Sequence, residues 1–105
     1  MPIYVALDSS DAWANPEMLQ FDEDYDPKAV AGCPPDAFSA TGQLWGNPLY
    51  DWKALKKDGY GWWVQRMTHC MELYDVVRID HFRGFDEYYA IPYGDKTAER
   101  GKWEK

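Results

Sequence analysis

Apolar positions fall in three blocks separated by polar or irregular chain. Residues 3–7, "IYVAL", form an unbroken apolar run, partly β-branched and closed by "DSSD". Without polar alternation this reads as a buried strand of the parallel kind. In residues 60–74, Trp63, Met67, Cys70, Met71 and Tyr74 recur at spacings of three and four, with Gln65, Arg66, Thr68, His69 and Glu72 on the wetter sides. That period predicts a long helix. Just before it, "DWKALKK" (51–57) predicts a short helix capped by Asp51 and stopped by Asp58-Gly59. Residues 75–80, "DVVRID", return to strand. Strand, helical excursion, strand describes a right-handed βαβ crossover with parallel strands, an α/β arrangement.

Between the first strand and the helices, residues 8–52 show little period and carry Pro16, Pro27, Pro34, Pro35 and Pro48 with Gly32, Gly42 and Gly46. "NPEML" predicts a short helix opening at Asn15, with Pro16 at its first position. The rest of this stretch reads as loop, and so long a structureless segment marks either a functional loop or elements that the pattern misses. After Asp80, "HFRGFDEYYAIPYGD" reads as loop and "KTAERGKWEK" as a polar tail. There are no internal repeats.

Composition sharpens the picture. A chain of 105 residues makes one domain. Aromatics reach 17%, with six Trp and eight Tyr, more ring surface than one modest core needs. Some rings are therefore expected to line a pocket. A net charge of −7 and no basic cluster exclude the footprint of a nucleic-acid binder. The same balance disfavours anionic membranes and phosphorylated substrates. It fits neutral ligands, or serves solubility alone. Cys33 and Cys70 make neither a disulfide framework nor a metal-ligand spacing, and His69 reads as a surface residue. There is no signal-peptide pattern and no run of membrane-spanning length. Two free thiols then point to the cytoplasm.

Alternation along 75–80 sends Val77 and Ile79 toward the helix and Val76, Arg78 and Asp80 the other way. A cation and a carboxylate on one face of a strand must pair or line a polar cavity. Ligands of parallel α/β folds sit at the carboxyl ends of strands, where Asp80 falls. Arg78 would favour its ionised form, and an oriented carboxylate can act as a nucleophile. Asp8 ends the first strand in the same way. Arg-x-Asp is short, however, and equally describes a local pair anchoring the next loop. In residues 32–50, "GCPPDAFSATGQLWGNPLY", rigid turns separate Phe38, Gln43, Trp45 and Asn47. Flat rings and amides are groups suited to pyranose faces and hydroxyl pairs. Trp45 alone reads as well as a plug for the core.

"GCPPDAFSATGQLWGNPLYDW" followed by "YDVVRIDHFRGFDEYYAIP" resembles the 4-alpha-glucanotransferases, the amylomaltase or disproportionating-enzyme family related to the alpha-amylases. "IYVALDSSDAWANPE" and "IPYGDKTAERGKW" match it in the same order, so the resemblance covers essentially the whole chain. It implies a (β/α)8 TIM barrel, of which residues 1–105 would be a single internal piece, about strands three to four. Residues 32–50 would be the loop that covers the substrate. The implied activity transfers alpha-1,4-glucan segments to glucose or maltooligosaccharide acceptors, with no metal or organic cofactor. By the matching motif, Asp80 takes the nucleophile's position and Arg78 that of its supporting arginine. His81 would lie beside the sugar at the −1 subsite. Asp36, Phe38, Gln43, Trp45 and Asn47 fall in the substrate-contacting loop, with Asp8 a further candidate. The acid/base glutamate and a second aspartate would lie beyond Lys105, and Glu87 does not sit in their motif. The isolated chain is accordingly expected to be inactive and to self-associate. Two rival readings are a non-catalytic carbohydrate-binding piece and an inert structural one.

Overall fold

The computed structural model describes all 105 residues. The two helices expected from the pattern form where their start and stop signals lie. Helix α2 (Trp52–Lys57) is capped by the Asp51 carboxylate, which accepts from the Ala54 N–H, and carries Lys56 and Lys57 in its last turn. The chain then reverses through Gly59 at φ +72 and Tyr60, also left-handed. Helix α3 (Gly61–Leu73) follows and ends where Tyr74 turns extended. Of its apolar stripe, Trp63 is buried, Met67 and Cys70 are half-buried, and Met71 and Tyr74 are exposed.

The sheet differs from the parallel pair expected. Strands β1 (Ala29–Cys33), β2 (Gln43–Pro48), β3 (Tyr88–Pro92) and β4 (Lys102–Glu104) form one antiparallel sheet in the order β2-β1-β3-β4. All four lie in chain that reads as loop or tail. β1 and β2 make a hairpin with a bulge between Val30 and Gly32, and β3 pairs with β1 through Val30↔Ile91 and Ala31↔Ala90. The "polar tail" contributes β4 and the buried Ala98, whose carbonyl accepts from the Tyr89 hydroxyl at 2.7 Å. The short helix expected at Asn15 forms as a single 3₁₀ turn with Pro16 at its first position, and an unexpected helix precedes it. Helix α1 (Ser10–Ala14) is capped by Ser9, and a 3₁₀ turn over Pro16–Met18 follows it.

Neither expected parallel strand is assigned as one. Ile3, Tyr4 and Val5 are buried, as the apolar run requires, but side chains rather than a strand ladder serve their carbonyls. The Tyr50 hydroxyl donates to the Ile3 carbonyl at 2.6 Å, Arg66 donates to the carbonyls of Pro2 and Ile3, and Asn47 Nδ2 donates to that of Val5. Residues 76–79 form no strand, but their alternation holds: Val77 and Ile79 are half-buried while Val76, Arg78 and Asp80 are exposed. One rung of the parallel pairing survives. The Met1 amine donates to the Arg78 carbonyl at 2.6 Å, and the Asp80 N–H donates to the Met1 carbonyl at 2.9 Å. Those two bonds have the pattern of a parallel bridge between residues 1 and 79.

The main core joins Ile3, Tyr4 and Val5 to Met18, Leu19, Leu49, Tyr50, Leu55, Trp63 and the inner face of the sheet. Rings dominate it. Trp63 meets Trp62 edge-on at 5.1 Å and Phe85 at 4.9 Å, with Tyr50 and Trp52 beside them. The Arg66 guanidinium lies 4.9 Å from the Trp63 ring centre. The Trp63 indole N–H is buried there without a hydrogen-bond partner.

Candidate active site

Beyond α3 the chain runs without regular structure to His81, turns there in the left-handed conformation (φ 56), and enters a 3₁₀ turn over Phe82–Phe85. A left-handed non-glycine residue at such a corner is a strained position. Gly84 lets this turn lie close to the buried N-terminal segment. A Cβ there would stand 2.8 Å from Ile3 Cδ1, 3.2 Å from His81 Cδ2 and 3.4 Å from the Tyr4 hydroxyl. The turn thereby brings His81 against Trp45 of β2, edge to face at 5.0 Å, with Tyr4 lying 6.4 Å from each ring. These three rings form a wall, and Asp80, the residue directly before His81, pairs with Arg78, Nε to Oδ1 at 3.3 Å. The pair satisfies itself, as the spacing requires, but it lies at the surface: the Arg78 side chain is 91% and that of Asp80 56% exposed.

Residues 32–50 divide into parts with different tasks. The Asp36 carboxylate accepts from the N–H groups of Phe38 and Ser39, and the Asp36 N–H donates to the Ser39 carbonyl, so Asp36 builds its own turn. That turn projects Phe38 almost wholly into solvent. Gly42 (φ +75) closes the loop where a Cβ would collide with the Cys33 carbonyl and the Ala98 methyl. In β2, the Trp45 indole N–H donates to Gln43 Oε1 at 2.9 Å, which fixes the ring's tilt. Asn47 points inward, its amide engaged by the Val5 carbonyl at 3.0 Å. The structure thus brings Trp45, Gln43 and His81 together, with the Arg78–Asp80 pair on the chain leading into His81. It uses Asn47 as a clamp and places Asp36 and Phe38 at the tip of the loop. Asp8 sits in an exposed turn facing a different hollow, lined by Trp13, Tyr25 and Asp26. The residue that sequence reasoning missed is Tyr4, whose place inside "IYVAL" reads as strand core.

Protonation follows burial. Desolvation lowers the His81 pKa, with the nearby Arg83 charge adding to it, so the ring is neutral at neutral pH. Burial pushes the Tyr4 phenol up to about 12, with Tyr88 and Cys33 contributing. Burial, and then the Asp36 carboxylate, raises the Cys33 thiol, which keeps it protonated and a poor nucleophile. Glu87 is engaged by Arg83 at 3.1 Å. No group of three or more His, Cys, Asp or Glu side chains is placed to hold a metal ion. A separate groove of about 720 Å³ runs along α3 past Trp62, His69 and Tyr74 and meets the candidate site only through Arg78.

Rings open on one side and a few directed polar groups are features that carbohydrate-binding walls use. Residues 1–105 match the family model of glycoside hydrolase family 77, described as 4-alpha-glucanotransferase, and the chain belongs to that family. It is 59% identical over 105 residues to the 4-alpha-glucanotransferase of Streptococcus pneumoniae serotype 4, covering 100% of this chain and 21% of that protein. The chloroplastic/amyloplastic 4-alpha-glucanotransferase of Solanum tuberosum is 53% identical over 104 residues, 99% of this chain and 18% of its own length. The solved structure of Streptococcus agalactiae amylomaltase in complex with acarbose superposes with a TM-score of 0.94 at 46% identity, covering 99% of this chain and 21% of that one. The chain thus spans about a fifth of the length of the relatives it matches.

Proposed function

We propose that residues 1–105 form the nucleophile-bearing part of a (β/α)8 4-alpha-glucanotransferase, with 32–50 as its substrate-covering loop. The observation that carries this reading is that the arginine-paired Asp80 directly precedes His81, whose ring packs on Trp45 and Tyr4. The family membership and the acarbose-bound relative support it. Asp80 attacks the anomeric carbon of an alpha-1,4-linked glucosyl unit, and the bond from that carbon to the leaving O4 breaks. An acid outside these residues gives its proton to the departing O4. The acceptor's O4 hydroxyl then attacks the glucosyl–Asp80 ester, returning the proton to that same group and freeing the carboxylate. Two inversions retain configuration. Arg78 holds the carboxylate's direction. Neutral His81 hydrogen-bonds a sugar hydroxyl without drawing a counter-charge into the site. Trp45 offers a ring face, Gln43 sets its tilt, and Phe38 and Asp36 bring the loop tip over the glucan to exclude water, so that transfer outruns hydrolysis. Glu87, tied to Arg83, is not the acid/base. The free state of Cys33 and Cys70 supports a reducing, cytoplasmic setting.

Asp80→Asn tests the reading in a full-length enzyme carrying residues 1–105. Maltotriose disproportionation should fall by about 10³-fold or more while maltoheptaose binding, followed by calorimetry, persists. Activity within tenfold of the parent would refute it. The isolated 105 residues leave Val64, Met71, Leu73, Tyr74 and Val76 exposed. Alone, they should self-associate in light scattering and show no transferase activity.

A further inference from the structure

The buried segment 2–5 is tied down on both sides of Tyr4. Arg66 holds the carbonyls of Pro2 and Ile3, Tyr50 holds Ile3 again, and Asn47 holds Val5. The Tyr4 ring itself stacks on Tyr50 at 6.0 Å with 17° between planes, and Tyr50 is almost wholly buried. A ring fixed this firmly is a rigid support. What it supports are Trp45 and His81, each 6.4 Å away and each with a free edge at the surface. Neither of those two has a comparable anchor. Trp45 is held by one bond to exposed Gln43, and the His81 side chain makes no capping bond at the start of its 3₁₀ turn. The Tyr4 hydroxyl makes no hydrogen bond within the chain; the ring does the contacting.

We propose that Tyr4 is a positioning residue for the glucanotransferase reaction, holding His81 and Trp45 in register with Asp80 through its ring rather than its hydroxyl. Asn47 belongs to the same device: its amide locks β2, which carries Trp45, onto the backbone next to Tyr4. This rests on the function proposed above. It makes Tyr4 and Asn47 act through other side chains, with neither touching sugar.

A double-mutant cycle in the full-length enzyme carrying residues 1–105 tests it. Tyr4→Leu should lower kcat/KM for maltotriose about tenfold, and Tyr4→Phe should restore most of that loss. On a His81→Ala background, Tyr4→Leu should cost less than about threefold, because the ring it supports is already gone. A full tenfold loss on that background overturns the proposal, as does a Tyr4→Phe enzyme as impaired as Tyr4→Leu. Gly84→Ala keeps the test open should Tyr4→Leu not fold. Its methyl would press on Ile3, His81 and Tyr4 together, and Ile3 can yield by rotating its terminal carbon. It should lose about three- to tenfold in kcat/KM and be silent on the His81→Ala background. An unaffected Gly84→Ala enzyme would count against the proposal. Failure of the underlying function would look different, since Asp80→Asn would then retain activity whatever Tyr4 does.

Discussion

Trp63 is enclosed by Tyr50, Trp52, Trp62 and Phe85 and is 7% exposed, whereas Trp45 meets only Tyr4 and His81 and is 37% exposed. Both are tryptophans within one small chain, and the stacked pair Tyr4–Tyr50 joins their neighbourhoods. The enclosed ring has spent its surface on the fold. The open ring has a face left over, in a position fixed by β2 and one hydrogen bond that its indole N–H donates to Gln43. Aromatic content alone does not separate a core from a binding wall. What separates them is whether the last face of the ring is already covered.

The largest effect should come from breaking the enclosed side. Trp63→Ala empties the centre of the ring cluster and should cost about 3–5 kcal/mol, read as a fall in the denaturation midpoint of the full-length protein. Trp63→Phe fills most of that space and removes the buried, unpartnered N–H. It should cost under about 1.5 kcal/mol. Equal losses for the two would show that the cluster is not close-packed.

The open side should answer in the opposite currency. Trp45→Ala should cost less stability than Trp63→Ala, because its ring is already 37% exposed. It should lower kcat/KM roughly tenfold, since about 1.4 kcal/mol of lost ring contact is a factor of ten. A large drop in melting temperature with binding intact would reverse the assignment of the two clusters.

How far this division shows in the sequence depends on how local its causes are. Helix α2 is legible because Asp51 and Asp58-Gly59 mark its ends, and α3 because its stripe repeats within four residues. The sheet is not legible. β1 pairs with β3 across some sixty residues of chain (Val30↔Ile91), and strands ending in Pro48 and Pro92 look like loop punctuation. The run "IYVAL" is buried as its composition demands, but nothing in it tells a strand from coil clamped by Tyr50, Arg66 and Asn47. The motif "RIDHF" marks Asp80, Arg78 and His81, and the loop marks Trp45. Tyr4 and the inward turn of Asn47 become visible only when the distant segments are brought together.

A smaller and more local effect distinguishes the open wall from bare surface. His81 has its pKa lowered first by burial and then by Arg83. Its histidine signal should therefore titrate below the ordinary value of about 6.5. Between the two values the unfolded chain binds more protons than the folded one. The stability His81 contributes is thus full above the ordinary value and is lost as pH falls through the lowered one. Acidification across this window should destabilise the parent more than His81→Gln. A midpoint at or above the ordinary value would mean that the ring is not held against Trp45 and Tyr4.

The central claim is that the Asp80 carboxylate forms the covalent link to glucose. A full-length enzyme carrying residues 1–105 can be incubated with a fluorinated glucosyl donor that slows breakdown of the intermediate, digested, and its labelled peptide sequenced by mass spectrometry. The account predicts one glucosyl adduct on the peptide containing "RIDHF", at Asp80, absent from Asp80→Asn. A stable adduct on any other carboxylate, with residue 80 unmodified, would contradict it.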